Sequence, residues 1–292
     1  MPAPRLSPHA KGVLITFLGG LALSFDIPLV RLADGSVWSI LATRCVCTLA
    51  STVVLWFLLR TFTGKAPALV PGKAGMTVSL LYGISTVFFM LAVFNTTTAN
   101  VAFILAFNPM FAALLSWIFL GERPSPATFL AMGLMTTGVL IIVGSGLESG
   151  HFFGDISAAL SALAIAGALT YSRAKRQDFG FTPLISAIIP GTIGLILSAK
   201  TGFTINDPFW IIFNGLLVTP FAFWALATGP RFLSAAESGM FYLLETVLAP
   251  VWVWLAFSEE PPVPTLIGGA IILGALVWHS THSLRREKVA AH

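Results

Sequence analysis

Glu245 lies near the middle of an apolar stretch running from about residue 233 to 257. If that stretch crosses hydrocarbon, a charged side chain at its centre costs about 2.5 to 3.5 kcal/mol on insertion scales, and no interface is within snorkelling reach. A carboxylate kept at that cost can face a polar cavity and bind a cationic group or a proton. It can also make a buried hydrogen bond that holds two helices in register. Asn108, directly before Pro109, takes the corresponding depth in an earlier stretch from about 99 to 120, so two polar side chains are expected at equivalent midplane positions. Asp26 falls about one turn from the end of a first stretch, 12 to 30, and Arg44 about two turns into the second, 37 to 59, from the same side. At similar depth they can pair, either as a snorkelling or structural ion pair or as a gating or substrate-binding element. Glu237, close to Arg231, falls nearer the interface and suits a surface role or a gate. Tyr82, Tyr171 and Tyr242 each carry a hydroxyl that needs a partner in apolar surroundings, and Tyr242 is three residues from Glu245, on a neighbouring helical face. Trp224, after Pro220, is a further candidate for a cavity wall. For these aromatics, packing against core or lipid is the plain alternative.

Other chemistries find little support. The histidines, at 9, 151, 279, 282 and 292, fall at the termini, in a loop or at the end of the last stretch, and no His-Glu-x-x-His occurs. No Gly-x-x-x-x-Gly-Lys-Ser/Thr is present for nucleotide binding. Cys45 and Cys47 are two apart on one helix and point in different directions, so neither a disulfide nor a metal site is expected. The reading therefore has no catalytic residue, no metal and no cofactor. The net charge of +4 suggests no nucleic-acid partner, because its placement has another cause.

These residues need elements to position them. Apolar stretches of roughly 18 to 25 residues fill the chain at about 12–30, 37–59, 74–94, 99–120, 125–145, 154–172, 181–200, 208–227, 233–257 and 264–282. Each is about long enough to span a bilayer as a helix, and none alternates with the period of two that a barrel strand needs. With 56% hydrophobic and 10% charged residues and a mean hydropathy of +0.89, the composition excludes a soluble domain. The expectation is an all-α membrane protein with ten transmembrane helices. All of the 16 Lys and Arg except Arg31, Arg44 and Lys200 then fall on one side, while Asp34, Glu148, Asp155, Asp207, Glu259 and Glu260 fall toward the other. The positive-inside rule makes both termini cytoplasmic. A signal peptide is not expected at the first stretch, since removing it would leave nine spans.

The stretches form two sets of five. Gly12, Thr16, Gly20, Ser24 and Pro28 recur every fourth residue, and Gly154, Ala158, Ala162, Ala166 and Thr170 repeat that stripe 142 residues later. Small side chains at this spacing allow close helix packing in lipid. At an offset of 137, Ala99, Trp117, Glu122 and Pro124 meet Ala236, Trp254, Glu259 and Pro261. Gly133 and Gly138 are answered by Gly269 and Gly274. An odd number of helices per set inverts the second, giving inverted five-helix repeats over 1–146 and 147–292, an arrangement typical of secondary transporters with a midplane site. Pro28, Pro109, Pro190, Pro220 and Pro250 are expected to interrupt their helices.

The run NTTTANVAFILAFNPMFAALLSWIFLGERPSP, residues 95 to 126, followed by Gly133 and Gly138, resembles the repeat signature of the drug/metabolite transporter superfamily, EamA type. Its elements are a mid-helix proline, Gly-Glu-Arg thirteen residues later, and a glycine-spaced helix. The second copy is degenerate: Thr246 stands at the proline position, Pro250 lies four residues on, and Ser258-Glu259-Glu260 replaces Gly-Glu-Arg. The resemblance, which includes the amino-acid exporter (YddG-like) branch, implies a secondary transporter of the cell inner membrane. It implies export of small metabolites, with amino acids, aromatic ones included, as the expected substrates. Nucleosides, drugs and other metabolites stay open as substrates, and an intramembrane enzyme or a receptor as other classes. Protons are a candidate coupling partner beside uniport or exchange, and the oligomeric state is open.

Overall fold

Proline decides where the helices of this chain break. The structure, a computed structural model, describes residues 8–63, 68–175, 179, 181–228, 241 and 243–290. Ahead of Pro28 the first helix divides into α1 (Pro8–Ser24) and α2 (Asp26–Leu32). After α3 (Val37–Thr63) and α4 (Gly72–Asn95), the next helix divides ahead of Pro109 into α5 (Thr98–Leu105) and α6 (Asn108–Leu120). Uninterrupted α7 (Pro126–Ser149) and α8 (Phe152–Lys175) follow, then α9 (Thr182–Ile185) and α10 (Ile188–Thr201), divided ahead of Pro190. A π-helical turn, Asn214–Val218, separates α11 (Pro208–Phe213) from α12 (Thr219–Thr228), directly ahead of Pro220. The last helices are α13 (Leu243–Phe257) and α14 (Val263–Ala290). Pro250 is the exception to the expectation, lying inside α13 without dividing it.

A proline has no N–H for the carbonyl four residues earlier, and in an apolar bundle that carbonyl needs another donor. The chain supplies two. Ser51 Oγ of α3 donates to the Leu216 carbonyl at 2.8 Å, four residues ahead of Pro220. The Ser186 carbonyl, four ahead of Pro190, accepts the Ile189 N–H at 3.2 Å in a tightened turn.

Among the described residues, eight helical segments are long and apolar enough to cross a membrane: 10–32, 37–62, 72–95, 98–120, 126–145, 152–172, 182–201 and 208–226. Two shorter apolar helices follow, Leu244–Phe257 and Val263–His279. Outward faces are apolar, as on α3, where Val53, Val54, Phe57, Leu58 and Phe62 are all exposed. Soluble proteins rarely present so continuous an apolar surface; this is a multi-pass, all-helical membrane protein.

Packing follows the small residues. Both stripes read from the sequence, Gly12 to Pro28 and Gly154 to Thr170, are buried at every position. α1 packs on α12 and α13, α8 on α4 and α6, α3 on α10, α5 on α13, and α7 on α14. The α7–α14 crossing is tightest at Gly138 and Gly268, where a Cβ on either would lie 2.7 or 2.6 Å from the other's carbonyl oxygen. Gly269 is pressed by the Phe103 ring, whereas Gly133 and Gly274, expected in the same pattern, face open space.

At one end of the bundle the turns between helices are tied together. Gly35 bridges to Ile205 in antiparallel fashion, Ser36 N donates to the Thr204 carbonyl at 3.0 Å, and Asn206 Nδ2 donates to Asp34 Oδ2 at 2.7 Å. This tied end also carries the 95–97 turn, His151 and Glu259, which line an open pocket of about 580 Å³ with Arg31, Asp34 and Phe94.

Candidate functional site

The break between α1 and α2 makes Asp26 the first residue of a new helix, where free backbone N–H groups favour a carboxylate. Its side chain and that of Arg44, from the second turn of α3, are 6% and 8% exposed. Arg44 Nη2 donates to Asp26 Oδ2 at 2.6 Å. The other carboxylate oxygen, Oδ1, accepts Asn214 Nδ2 at 2.7 Å, and the same amide donates to the Asp26 main-chain carbonyl at 3.2 Å. Asn214 is itself held, accepting Thr219 Oγ1 on its Oδ1 at 2.7 Å within the π-helical turn. Such π-bulges recur at functional sites. The Arg44 guanidinium also lies 5.4 Å from the centroid of the Phe89 ring, a cation–π contact that desolvation strengthens. Three helix groups thus converge on one ion pair, two of them at proline breaks.

Glu245 is partly buried in the first described turn of α13 and lies within electrostatic reach of both Asp26 and Arg44. Two carboxylates therefore lie within electrostatic reach of one guanidinium, which is bonded to Asp26. A cationic group or a proton is what this arrangement lacks when both carboxylates are ionised. Beside it, Phe25 at the helix break stacks on Trp252 of α13, with centroids 4.9 Å apart and planes at 15°. Trp252 Nε1 donates to Ser24 Oγ at 3.0 Å.

The other residues picked out from the sequence distribute differently. Asn108 opens α6 and is partly buried, and its Oδ1 is buried with no hydrogen-bond partner among the described residues; α5, which ends beside it, packs on α13. Tyr82 packs with Tyr171 around Val78, Ala168 and Phe179, in a cluster on the α4–α8 face. Trp224 is 50% exposed, on a stripe with Leu217 and Phe221 and opposite Ala222 and Ala225, which are buried. Glu237 and Tyr242 lie outside the described residues.

A second polar centre lies at the tied end. Arg31 of α2 forms an ion pair with Glu259 and donates through Nη2 to the Thr96 carbonyl at 2.8 Å. Glu259 Oε1 accepts the Thr98 N–H at 3.1 Å, at the start of α5. Thr97 caps α5 by accepting the Asn100 N–H. Asp155, placed by the charge count among residues toward the outside, is fully buried. Its Oδ1 accepts Thr96 Oγ1 at 2.6 Å and Asn100 Nδ2 at 2.9 Å, and Asn100 Oδ1 accepts Thr265 Oγ1 at 2.6 Å.

Sequence reasoning missed Asn214, Phe25, Phe89, Trp252 and the Arg31–Glu259 pair. Asn214 carried a usable signal, an amide inside an apolar stretch six residues ahead of a proline. The aromatics carried none, since 35 Phe, Trp and Tyr are spread through the chain.

Known proteins bear on this geometry. A solved crystal structure matches the fold with a TM-score of 0.64 and 17% identity, over 95% of this chain and 99% of that one. An uncharacterized transporter, YdfC, of Bacillus subtilis (strain 168) is 27% identical over 191 residues, covering 62% of each chain; the match thus spans less than two thirds of that relative. A probable terminal-alkyne amino-acid exporter of Streptantibioticus cattleyicolor is 22% identical over 213 residues, 68% of this chain and 69% of that one. An uncharacterized transporter of Archaeoglobus fulgidus is 22% identical over 71% of this chain and 76% of its own length. Residues 10–144 match the EamA-like transporter family.

Proposed function

We propose that the protein is a secondary transporter, not an enzyme, that exports small metabolites by alternating access, with amino acids, aromatic ones included, as substrates. The observation that carries the reading is the buried centre of Asp26, Arg44, Asn214 and Glu245 at two proline breaks. Two carboxylates within electrostatic reach of one guanidinium suit a substrate ammonium, which would bond Glu245 and balance the charge. The Phe25–Trp252 stack beside them gives an apolar and aromatic side chain a surface to lie on. The name of the Streptantibioticus relative supports the same substrate class.

The architecture is read as ten crossings in two inverted repeats, 1–146 and 147–292, with both termini cytoplasmic and the protein in the cell inner membrane. Helix partners support it: α1 on α12 corresponds to α8 on α4, and α1 on α13 to α8 on α6, when the halves are exchanged. On this reading the tied end faces outward. Asn108, Tyr82, Tyr242 and Trp224 are proposed to meet substrate on its path, Glu237 is proposed as a gating residue, and a proton is the candidate coupling ion.

Reconstitution into proteoliposomes tests the proposal, with labelled phenylalanine, tryptophan, leucine and glutamate, a nucleoside and an organic cation, with and without a pH gradient. Uptake of phenylalanine and tryptophan well above empty vesicles is expected. Transport of the nucleoside or the cation with no amino-acid uptake would move the substrate to another class.

A further inference from the structure

Gly154 lets the start of α8 press on the turn between α4 and α5: a Cβ there would lie 2.5 Å from the Asn95 carbonyl carbon and 2.6 Å from the Thr96 nitrogen. The next residue, Asp155, is thereby set against Thr96. It lies inside the apolar segment 152–172 with a fully buried side chain, and an ionisable group so placed is costly enough to mark a site. Its two oxygens are held unequally. Oδ1 accepts Thr96 Oγ1 at 2.6 Å and Asn100 Nδ2 at 2.9 Å, whereas Oδ2 is buried with no hydrogen-bond partner among the described residues. Both donors are neutral, and a bare buried oxygen on an ionised carboxylate calls for a positive charge.

That charge has a short way in. Asp155 N donates to the His151 carbonyl at 3.0 Å, so the two side chains lie one turn apart on one face, within electrostatic reach of each other. His151 and Thr96 both line the open pocket of about 580 Å³ at the tied end. Asp155 is therefore bonded to one residue of the pocket wall and follows another by one turn. The pocket's other charged residues are engaged, Arg31 with Glu259 and Asp34 with Asn206. Of the helices packed on α8, α5 and α6 carry no titratable residue, α4 carries Lys73 and Tyr82 in its first half, and α7 carries Glu148 in its last turn. Those of α8 itself, Tyr171, Arg173 and Lys175, lie more than four turns further on. Oδ2 suits a proton better than a metal ion. Thr96 and Asn100 turn hydrogens toward Asp155, and their own oxygens are taken: Thr96 Oγ1 accepts Asn100 Nδ2 at 3.1 Å, and Asn100 Oδ1 accepts Thr265 Oγ1 at 2.6 Å. A hard cation needs several oxygens, whereas a proton needs one.

We propose that Asp155 is a proton-binding site loaded from the pocket at the tied end through His151, and that Thr96 couples its charge to the Arg31–Glu259 pair. The inference rests on the transporter reading and names a carrier for its coupling ion. The proton passes from water in the pocket to the His151 imidazole, and from the imidazolium to Asp155 Oδ2, leaving the histidine neutral. A charge-assisted hydrogen bond is about twice as strong as a neutral one, so neutralising Asp155 loosens its hold on the Thr96 hydroxyl. The Thr96 carbonyl accepts Arg31 Nη2 at 2.8 Å, and Thr98, two residues on, donates its N–H to Glu259 at 3.1 Å. Loading and release of the proton thus act on the turn that holds both members of that pair.

Infrared difference spectra of the purified protein, between mildly acidic and mildly alkaline buffer, test the site without reference to substrate. The parent should show a protonated-carboxyl band that appears on acidification. Asp155→Asn should lose a component of it that Glu148→Gln and Glu245→Gln keep, and an unchanged band overturns the proposal. Should Asp155→Asn fail to fold, Thr96→Val takes its place: it removes one donor from Oδ1, so a component must shift in frequency, and an unshifted spectrum overturns the site. His151→Gln should keep the component and slow its appearance after a pH jump about tenfold or more; an unslowed rise overturns delivery through His151. Loss of the component on adding sodium at constant pH gives the site to a metal ion and overturns the choice of a proton. In proteoliposomes, Asp155→Asn should lose the stimulation of labelled phenylalanine uptake by a pH gradient while exchange without a gradient persists, and retained stimulation overturns the coupling. A parent protein that carries no phenylalanine counts against the substrate reading alone, with the infrared spectra still deciding the site.

Discussion

Removing one partner from the Asp26–Arg44 pair should cost far more than removing both. Both side chains are more than nine-tenths buried, so little of the cost is relieved by solvent. In Arg44→Met the Asp26 carboxylate loses its 2.6 Å guanidinium bond and keeps only the Asn214 amide at 2.7 Å as a side-chain donor. In Asp26→Asn the guanidinium loses its bonded carboxylate and keeps the Phe89 ring and the Met90 sulfur, 3.9 Å away, with Glu245 as the remaining carboxylate within electrostatic reach. Stranding one member of a buried pair costs about 3–5 kcal/mol, whereas replacing both by neutral groups of similar volume is close to neutral. If the single losses simply added, the double variant would be about 6–10 kcal/mol less stable. If the charges are coupled, Asp26→Asn with Arg44→Met should fall within about 2 kcal/mol of the parent. Thermal unfolding in a mild detergent, followed by tryptophan fluorescence, reads this directly. Each single variant should drop the midpoint by on the order of 10 °C, with the double variant recovering most of it. A double variant as unstable as the sum of the singles would refute the ion-pair account.

Two further predictions concern packing and charge. Gly138→Leu, at the α7–α14 crossing, should destabilise by about 1–3 kcal/mol through overpacking, while Gly133→Leu in the same helix, facing open space, should stay within about 0.5 kcal/mol; equal melting points would contradict the crossing. Glu245→Gln keeps the side-chain shape and removes the charge, so amino-acid uptake should fall about tenfold with the melting point retained, and unchanged uptake by a folded variant would remove Glu245 from substrate and proton binding.

How much of this was legible depends on whether a feature is local along the chain. The small-residue stripes were, because burial every fourth position needs only one helix and its period. Proline breaks were mostly legible for the same reason, since a missing N–H acts four residues back. Pro250 shows the limit: a helix can carry a proline unbroken where neighbouring helices hold it in line. Asp26 and Arg44 were matched by depth alone, which worked because both lie near the same end of adjacent helices. Asp155 shows what depth and charge alone leave out. The charge count put it toward one side, and the structure has it fully buried, held by the side chains of Thr96, in the turn before α5, and Asn100 of α5; nothing along the chain encodes such a meeting. Arg31 and Glu259 are 228 residues apart, and only folding brings them together.

The same physics explains why charge and helix breaks share one place. A straight helix presents no free donors at mid-depth, so a buried carboxylate there must find all its partners on other helices. Breaking the first helix ahead of Pro28 lets Asp26 start a new one, where first-turn amides are unclaimed. Loosening another into a π turn ahead of Pro220 releases Asn214 to donate to that same residue twice, at 2.7 and 3.2 Å. Each break forfeits a main-chain hydrogen bond, and Ser51 returns one of them to Leu216. These joints are also where the two segments of a helix can change angle with the fewest bonds to lose. The ion pair therefore sits on the hinges, and a helix movement that opens the bundle must change the distances among Asp26, Arg44, Asn214 and Glu245. A substrate bound among them would sense, and bias, which end is closed.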